Sequence, residues 1–257
     1  NNIVDITNYI LHAYGQPLHC FDADKIKGGK IVVKTVAEGT TFVTLDEVER
    51  KLSDKDLMIC NTEEPMCIAG VFGGLDSGTT EPTVDVFLES AYFNPTWVRK
   101  TARRHGLSTD SSFRFERGID PNGTIYALKE AALLVQELAG GTISSEIKDN
   151  YPAPIADFTV ELNYEKVHSL IGKTIPVETI KSIVTSLEMK IVNETPEGLT
   201  LQVPPYRVDV QRDCDVVEDI LRIYGYNNVE IPTTLKSSLT TKGEVDYSQK
   251  LQNLISE

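Results

Sequence analysis

Apolar positions along the chain change their period, and the change divides it into unlike stretches. Five short runs, KIVVKTV (30–36), TFVTLD (41–46), DLMICN (56–61), CIAGVFGG (67–74) and VDVFLESAYF (84–93), are rich in Val, Ile, Phe and Thr. Bounded by Gly, Asp or Pro, they read as sheet strands. Helical spacing is sustained over 122–138, through Ile125, Leu128, Ala132, Leu133, Val135 and Leu138, until Gly140-Gly141 ends it. A helix-like stretch also precedes Gly15-Gln16-Pro17, where Gly15 permits a reversal and Pro17 stiffens the turn that presents His19. Strands and helices so unevenly segregated predict an α+β fold, a large mixed-sheet unit first and a small α+β module after it.

The boundary falls in KDNYPAPIADF (148–158), whose prolines and polar residues suit a linker. The expected units are therefore 1–151 and 152–230. In the second, a strand at 158–162 leads to a helix capped by Asn163, and another helix starts just after Pro176. A hairpin turns at Thr195-Pro196-Glu197-Gly198, and a last helix runs over 215–224 to Gly225. Residues 231–257 read as the start of a further, truncated domain.

Composition narrows the possibilities. No apolar run approaches the roughly 20 residues of a membrane span, and NNIVD lacks the features of a signal peptide, so the expected compartment is the cytoplasm. Cys20, Cys60, Cys67 and Cys214 have no metal-ribbon or redox spacing. A net charge of -13 argues against a general nucleic-acid binder, DNA included. One basic island interrupts it: Arg99, Lys100, Arg103, Arg104, Arg114 and Arg117 stand against Asp110 and Glu116, six charges minus two. It either meets a polyanion or clamps the fold internally.

Asp209, Asp215, Glu218 and Asp219 form a second cluster. On a helix starting near 215, positions 215, 218 and 219 share a face, and four oxygen ligands suit a hard cation such as Mg²⁺. Acidic residues in a first helical turn are also favoured with no metal present.

Taken in order, VDITNYILHAYGQPLHCFD (4–22), IAGVFGG (68–74), LESAYF (88–93) and RKTARRHGLSTDSSFRFERGIDP (99–121) resemble the editing region of bacterial phenylalanyl-tRNA synthetase β subunits. PPYRVDVQRDCDVVEDILRIYGY (204–226) resembles the small module that follows it. The resemblance implies hydrolysis of tyrosine mischarged onto the phenylalanine tRNA. It implies that Thr7, Asn8 and His19 surround the ester, that Ala69, Gly70, Gly73 and Ala91 line the amino-acid pocket with Gly74 widening its wall, and that Glu89 takes the phenol. A pocket requiring that hydroxyl can reject phenylalanine by roughly 10⁴ or more, whereas an apolar synthetic pocket rejects the extra hydroxyl only about 100-fold. Without a Ser-His-Asp or Cys-His arrangement, water is the expected nucleophile. The resemblance further implies that the four carboxylates bind Mg²⁺ shared with an α subunit, weakly or not at all in this chain alone. An α2β2 partner arrangement is implied, with ATP used only by the full enzyme. Asp219 stands where the family usually has glutamate. The alternative is a scaffold that positions tRNA and the α subunit without chemistry.

Overall fold

The computed structural model describes residues 1–231 and 244–256. Helix α1 (Asn2–Tyr14) is capped by the Asn1 side chain and ends at Gly15, which takes the left-handed conformation, φ 71°. Thr7 and Asn8 sit inside this helix, whose cap lies upstream at Asn1. Strand β1 (Leu18–Asp22) follows, so His19 stands on a strand rather than on the turn itself.

A four-stranded antiparallel sheet has the order β2 (Val32–Thr35), β5 (Leu57–Cys60), β6 (Pro65–Ile68), β7 (Phe72–Gly73). The ribbon of β3 (Thr41–Val43) and β4 (Glu49–Lys51) touches it through a Thr44–Gly74 bridge. Strand β8 (Val86–Ser90) returns to pair with β1. These sheets enclose a core of Phe21, Leu52, Met58, Ile59 and Ile68, closed by Phe93, Val98 and Phe115.

Two helices occupy the basic island, where sequence periodicity predicts none: α2 (Pro95–His105) and α3 (Asp110–Phe115). Helix α4 (Thr124–Ala139) packs on α1, where Ile6 and Ile10 meet Ala127 and Ala131. Alanines four apart leave room for close approach of the two backbones.

The second region has its own core of Val160, Leu162, Ile180, Leu199, Leu201 and Ile220. Its sheet runs β10 (Lys190–Thr195), β11 (Gly198–Val203), β9 (Phe158–Asn163). Helices α5 (Tyr164–Ile171), α6 (Val177–Ser186) and α7 (Asp213–Tyr224) cover it. The Asn163 side chain caps α5 by accepting from the Lys166 amide at 3.0 Å. The two regions touch at Gly118, where a Cβ would lie 2.6 Å from Val208. Within the expected truncated domain, 232–243 lies outside the described residues, and α8 (Glu244–Ser256) follows.

Candidate functional site

The β1–β8 pairing generates the site. In its antiparallel register His19 stands directly opposite Glu89, with Leu18 opposite Ser90 and Cys20 opposite Leu88. Alternation along a strand turns His19 and Phe21 to one face and Cys20 to the other. The His19 ring sits edge-on against buried Phe21, centroids 4.4 Å apart. The turn before β1 is held by Gln16, buried although polar, whose Nε2 donates to the carbonyls of Pro17 (3.0 Å) and Ala91 (2.9 Å).

A cavity of about 260 Å³ opens over this pair. Asn8 of α1, His19, Glu89, Gly70 and Gly73 all line it. So do Cys67, and Thr109, Asp110 and Ser111 from the start of α3, none of which the sequence reading chose. Gly73 is small for a spatial reason: a Cβ there would lie 2.8 Å from Cε1 of His19. Gly70 combines φ +69° with a tight fit, since its Cβ would lie 2.8 Å from the Phe93 ring. The Thr109 hydroxyl donates to the Val71 carbonyl at 2.7 Å, tying α3 to the turn between β6 and β7.

Other expected wall residues stand elsewhere. Thr7 turns its hydroxyl back to the Val4 carbonyl, 2.8 Å away, and does not line the cavity. Ala69 is buried, its amide donating to the Leu57 carbonyl at 3.0 Å, and its surface faces a separate apolar cleft beside Trp97. Ala91 lies past the end of β8 and contributes the carbonyl that Gln16 grips. Gly74 faces the core, where a Cβ would lie 2.6 Å from the Met66 carbonyl oxygen.

Burial sets the protonation of the central pair. It pushes the Glu89 carboxyl up to about 8 and holds the His19 imidazole down at about 4. At neutral pH the cavity therefore presents a carboxylic acid facing a neutral imidazole. Nε2 of His19 is buried and has no hydrogen-bond partner. Both nearby thiols stay protonated: burial pushes Cys20 up to about 12 and drives Cys67 well above its ordinary range.

The basic island divides. Arg104 pairs with fully buried Asp56, which also accepts from Thr101 at 3.0 Å and meets His105 Nε2 at 2.7 Å. Burial pushes the Asp56 carboxyl upward, but bonds from the Ser53 amide, His105 and Thr101 outweigh it and hold the group below its usual range. Arg99, Lys100 and Arg103 lie exposed on α2.

The four carboxylates of the second region do not converge. Both oxygens of Asp219 are taken by guanidinium groups, Arg207 at 2.6 Å and Arg222 at 2.7 Å. Asp215 caps α7, accepting from the amides of Gln211 and Arg212 and pairing with the Arg212 side chain, which holds it at about 2. Asp209 and Glu218 are exposed. Among the described residues no group of three His, Cys, Asp or Glu could hold a metal ion. In this arrangement the donor set does not fit Mg²⁺, because arginines neutralise the charge a cation would need. No helix among the described residues is long and apolar enough to cross a membrane.

Comparison with known proteins matches residues 1–140 to the B3/4 domain family and residues 160–226 to the tRNA synthetase B5 domain. The chain is 81% identical over 257 residues to a phenylalanine–tRNA ligase beta subunit of Bacteroides fragilis, covering 100% of this chain and 31% of that one. To the subunit of that name from Porphyromonas gingivalis it is 57% identical over 258 residues, with 100% and 31% covered. For Geobacter metallireducens the identity is 42% over 252 residues, with 98% and 31% covered. The chain thus spans about a third of the length of these relatives. With a B3/4 domain over more than half its length and a B5 domain after it, the chain belongs to the phenylalanyl-tRNA synthetase β-subunit family.

Proposed function

We propose that the cavity over His19 and Glu89 hydrolyses the ester of tyrosine mischarged onto the phenylalanine tRNA. The observation that carries this reading is the register opposition of a neutral carboxylic acid and an unpartnered neutral imidazole in one cavity. A protonated Glu89 can accept the phenol proton through its carbonyl oxygen and donate its own to the phenol oxygen. Phenylalanine would leave both groups unpaired, at about 1–3 kcal/mol each.

Water is the nucleophile in this reading, since the thiols are held protonated. An imidazole near 4 is a weak base, so His19 orients the water or the terminal ribose through Nε2. Asn8 and the Gly70 amide hold the ester, while Thr7 acts only through the helix that carries Asn8. Residues 1–151 would carry this chemistry and 152–230 would form the docking module. The α subunit, its α2β2 assembly, ATP and Mg²⁺ belong to synthesis by the assembled ligase in the cytoplasm.

The test uses His19→Ala and Glu89→Ala in the assembled ligase. Each is expected to slow clearance of tyrosyl-tRNA by about tenfold or more, the scale of losing one positioned group. Clearance at the parent's rate by both variants would return the chain to the scaffold reading.

A further inference from the structure

The cavity accounts for an aminoacyl ester, but the nucleic acid attached to it must lie across the rim. Helices α1 and α3 border the cavity through Asn8 and through Asp110 and Ser111. One turn further along each helix, His12 and Arg114 meet: Nη2 of Arg114 donates to Nδ1 of His12 at 3.3 Å. Residues four apart share a helix face and stand about 6 Å apart along the axis. The Arg114–His12 contact therefore lies one helical turn from the groups lining the cavity.

Arg104 pairs with Asp56 and Arg117 with Glu116, but Arg114 makes no ion pair among the described residues. In a chain of net charge -13, that leaves a guanidinium with spare donors one turn from the cavity lining. The residue before it, Phe113, is 49% exposed, and the Arg117 guanidinium lies over that ring at 3.6 Å. A basic fork next to an exposed aromatic ring is the combination that grips single-stranded nucleic acid, phosphate on the fork and base on the ring.

We propose that Arg114, steadied by His12 and flanked by Phe113, is a lip that binds a backbone phosphate of the single-stranded 3′ end whose ester enters the cavity. The proposal rests on the hydrolytic reading above for the ester, and on the rim's own geometry for the phosphate.

The experiment compares tyrosyl-tRNA with tyrosyladenosine, which carries the same ester and no phosphate, using the assembled ligase. Arg114→Gln is expected to lower kcat/KM on the tRNA about tenfold, chiefly through KM. The slope of log kcat/KM against log salt should become shallower by about 0.7, the share of one single-strand phosphate. The loss on tyrosyladenosine should be several-fold smaller. Arg114→Lys should keep the parent's slope while losing part of the affinity, because it retains the charge without the fork. Equal proportional losses on both esters, or an unaltered slope, would overturn the lip.

Hydrolysis of neither ester by the parent would refute the hydrolytic reading and leave the lip to be judged by binding. A non-aminoacylated RNA stem with a single-stranded 3′ tail should then bind about tenfold more weakly to Arg114→Gln, and more weakly to Phe113→Ala with no change in salt slope. Equal binding by parent and both variants would reject the lip.

Discussion

Replacing Glu89 with glutamine tests the electrostatics of the site apart from any chemistry. Glutamine keeps the shape and hydrogen-bonding capacity of a protonated carboxyl and cannot ionise. Burial moves the Glu89 pKa from 4.5 to about 8. Because the folded pKa lies above the unfolded one, the native chain binds more protons between these values, and stability falls as pH rises through the window. At about 1.36 kcal/mol per unit, the shift sets a ceiling of about 5 kcal/mol. Solvent at the cavity mouth lowers the actual figure, since the Glu89 residue is partly accessible. Glu89→Gln should match the parent near pH 4.5 and gain on it steadily to about pH 8. His19, depressed to about 4, contributes in the opposite direction between 6.5 and 4, but it is present in both proteins and cancels. Urea unfolding followed by the fluorescence of Trp97, the chain's one tryptophan, reads the first region directly. Parallel stability curves for the two proteins from pH 4.5 to 8.5 would refute a buried, protonated Glu89.

The remaining expectations are simpler. Gly73→Ala places a methyl 2.8 Å from the His19 ring and should cut ester hydrolysis by about tenfold or more while far-ultraviolet circular dichroism stays native. Ile10→Ala removes a fully buried side chain between α1 and α4 and should cost about 2–5 kcal/mol in urea unfolding. Asp56→Asn leaves Arg104 without its buried partner and should cost about 3–5 kcal/mol at pH 7. Because the folded Asp56 pKa is depressed, that cost should shrink as pH falls below about 4, and a pH-independent cost would contradict the assignment. Titration calorimetry with Mg²⁺ should find no submicromolar site, since arginines occupy both oxygens of Asp219.

What could be read from the sequence depended on how local each cause is. The second region was legible almost element by element, because the Asn163 cap, the proline before α6 and the turn at 195–198 act within a few residues. Helix α2 was not, since its buried face is only Val98, Thr101 and Ala102 among charges. Helix α3, six residues long, is fixed by a Thr109–Ser112 capping box and by the bond from Thr109 to Val71.

The site divided in the same way. His19, Glu89, Gly70 and Gly73 could be chosen by motif, but their convergence comes from pairing strands nearly seventy positions apart, which no periodicity reveals. Gln16 and Thr109 have roles that no local pattern spells out, bonds to backbone carbonyls 75 and 38 positions away. A buried glutamine beside a proline turn, and a Ser/Thr-rich cap before a short helix, were the signals available. In the carboxylate cluster helical spacing places the acids on one face, but Arg207, Arg212 and Arg222 engage Asp215 and Asp219, an arrangement that spacing alone does not reveal.

The central claim is that Glu89 selects the tyrosyl ester within a water-fed cavity, and single-turnover deacylation of tyrosyl- and phenylalanyl-tRNA by the assembled ligase tests it most directly. The parent should clear the tyrosyl ester faster by about 10⁴ or more, and Glu89→Ala should erase most of that preference. Equal clearance of the two esters by the parent, or an undiminished preference in Glu89→Ala, would contradict the account.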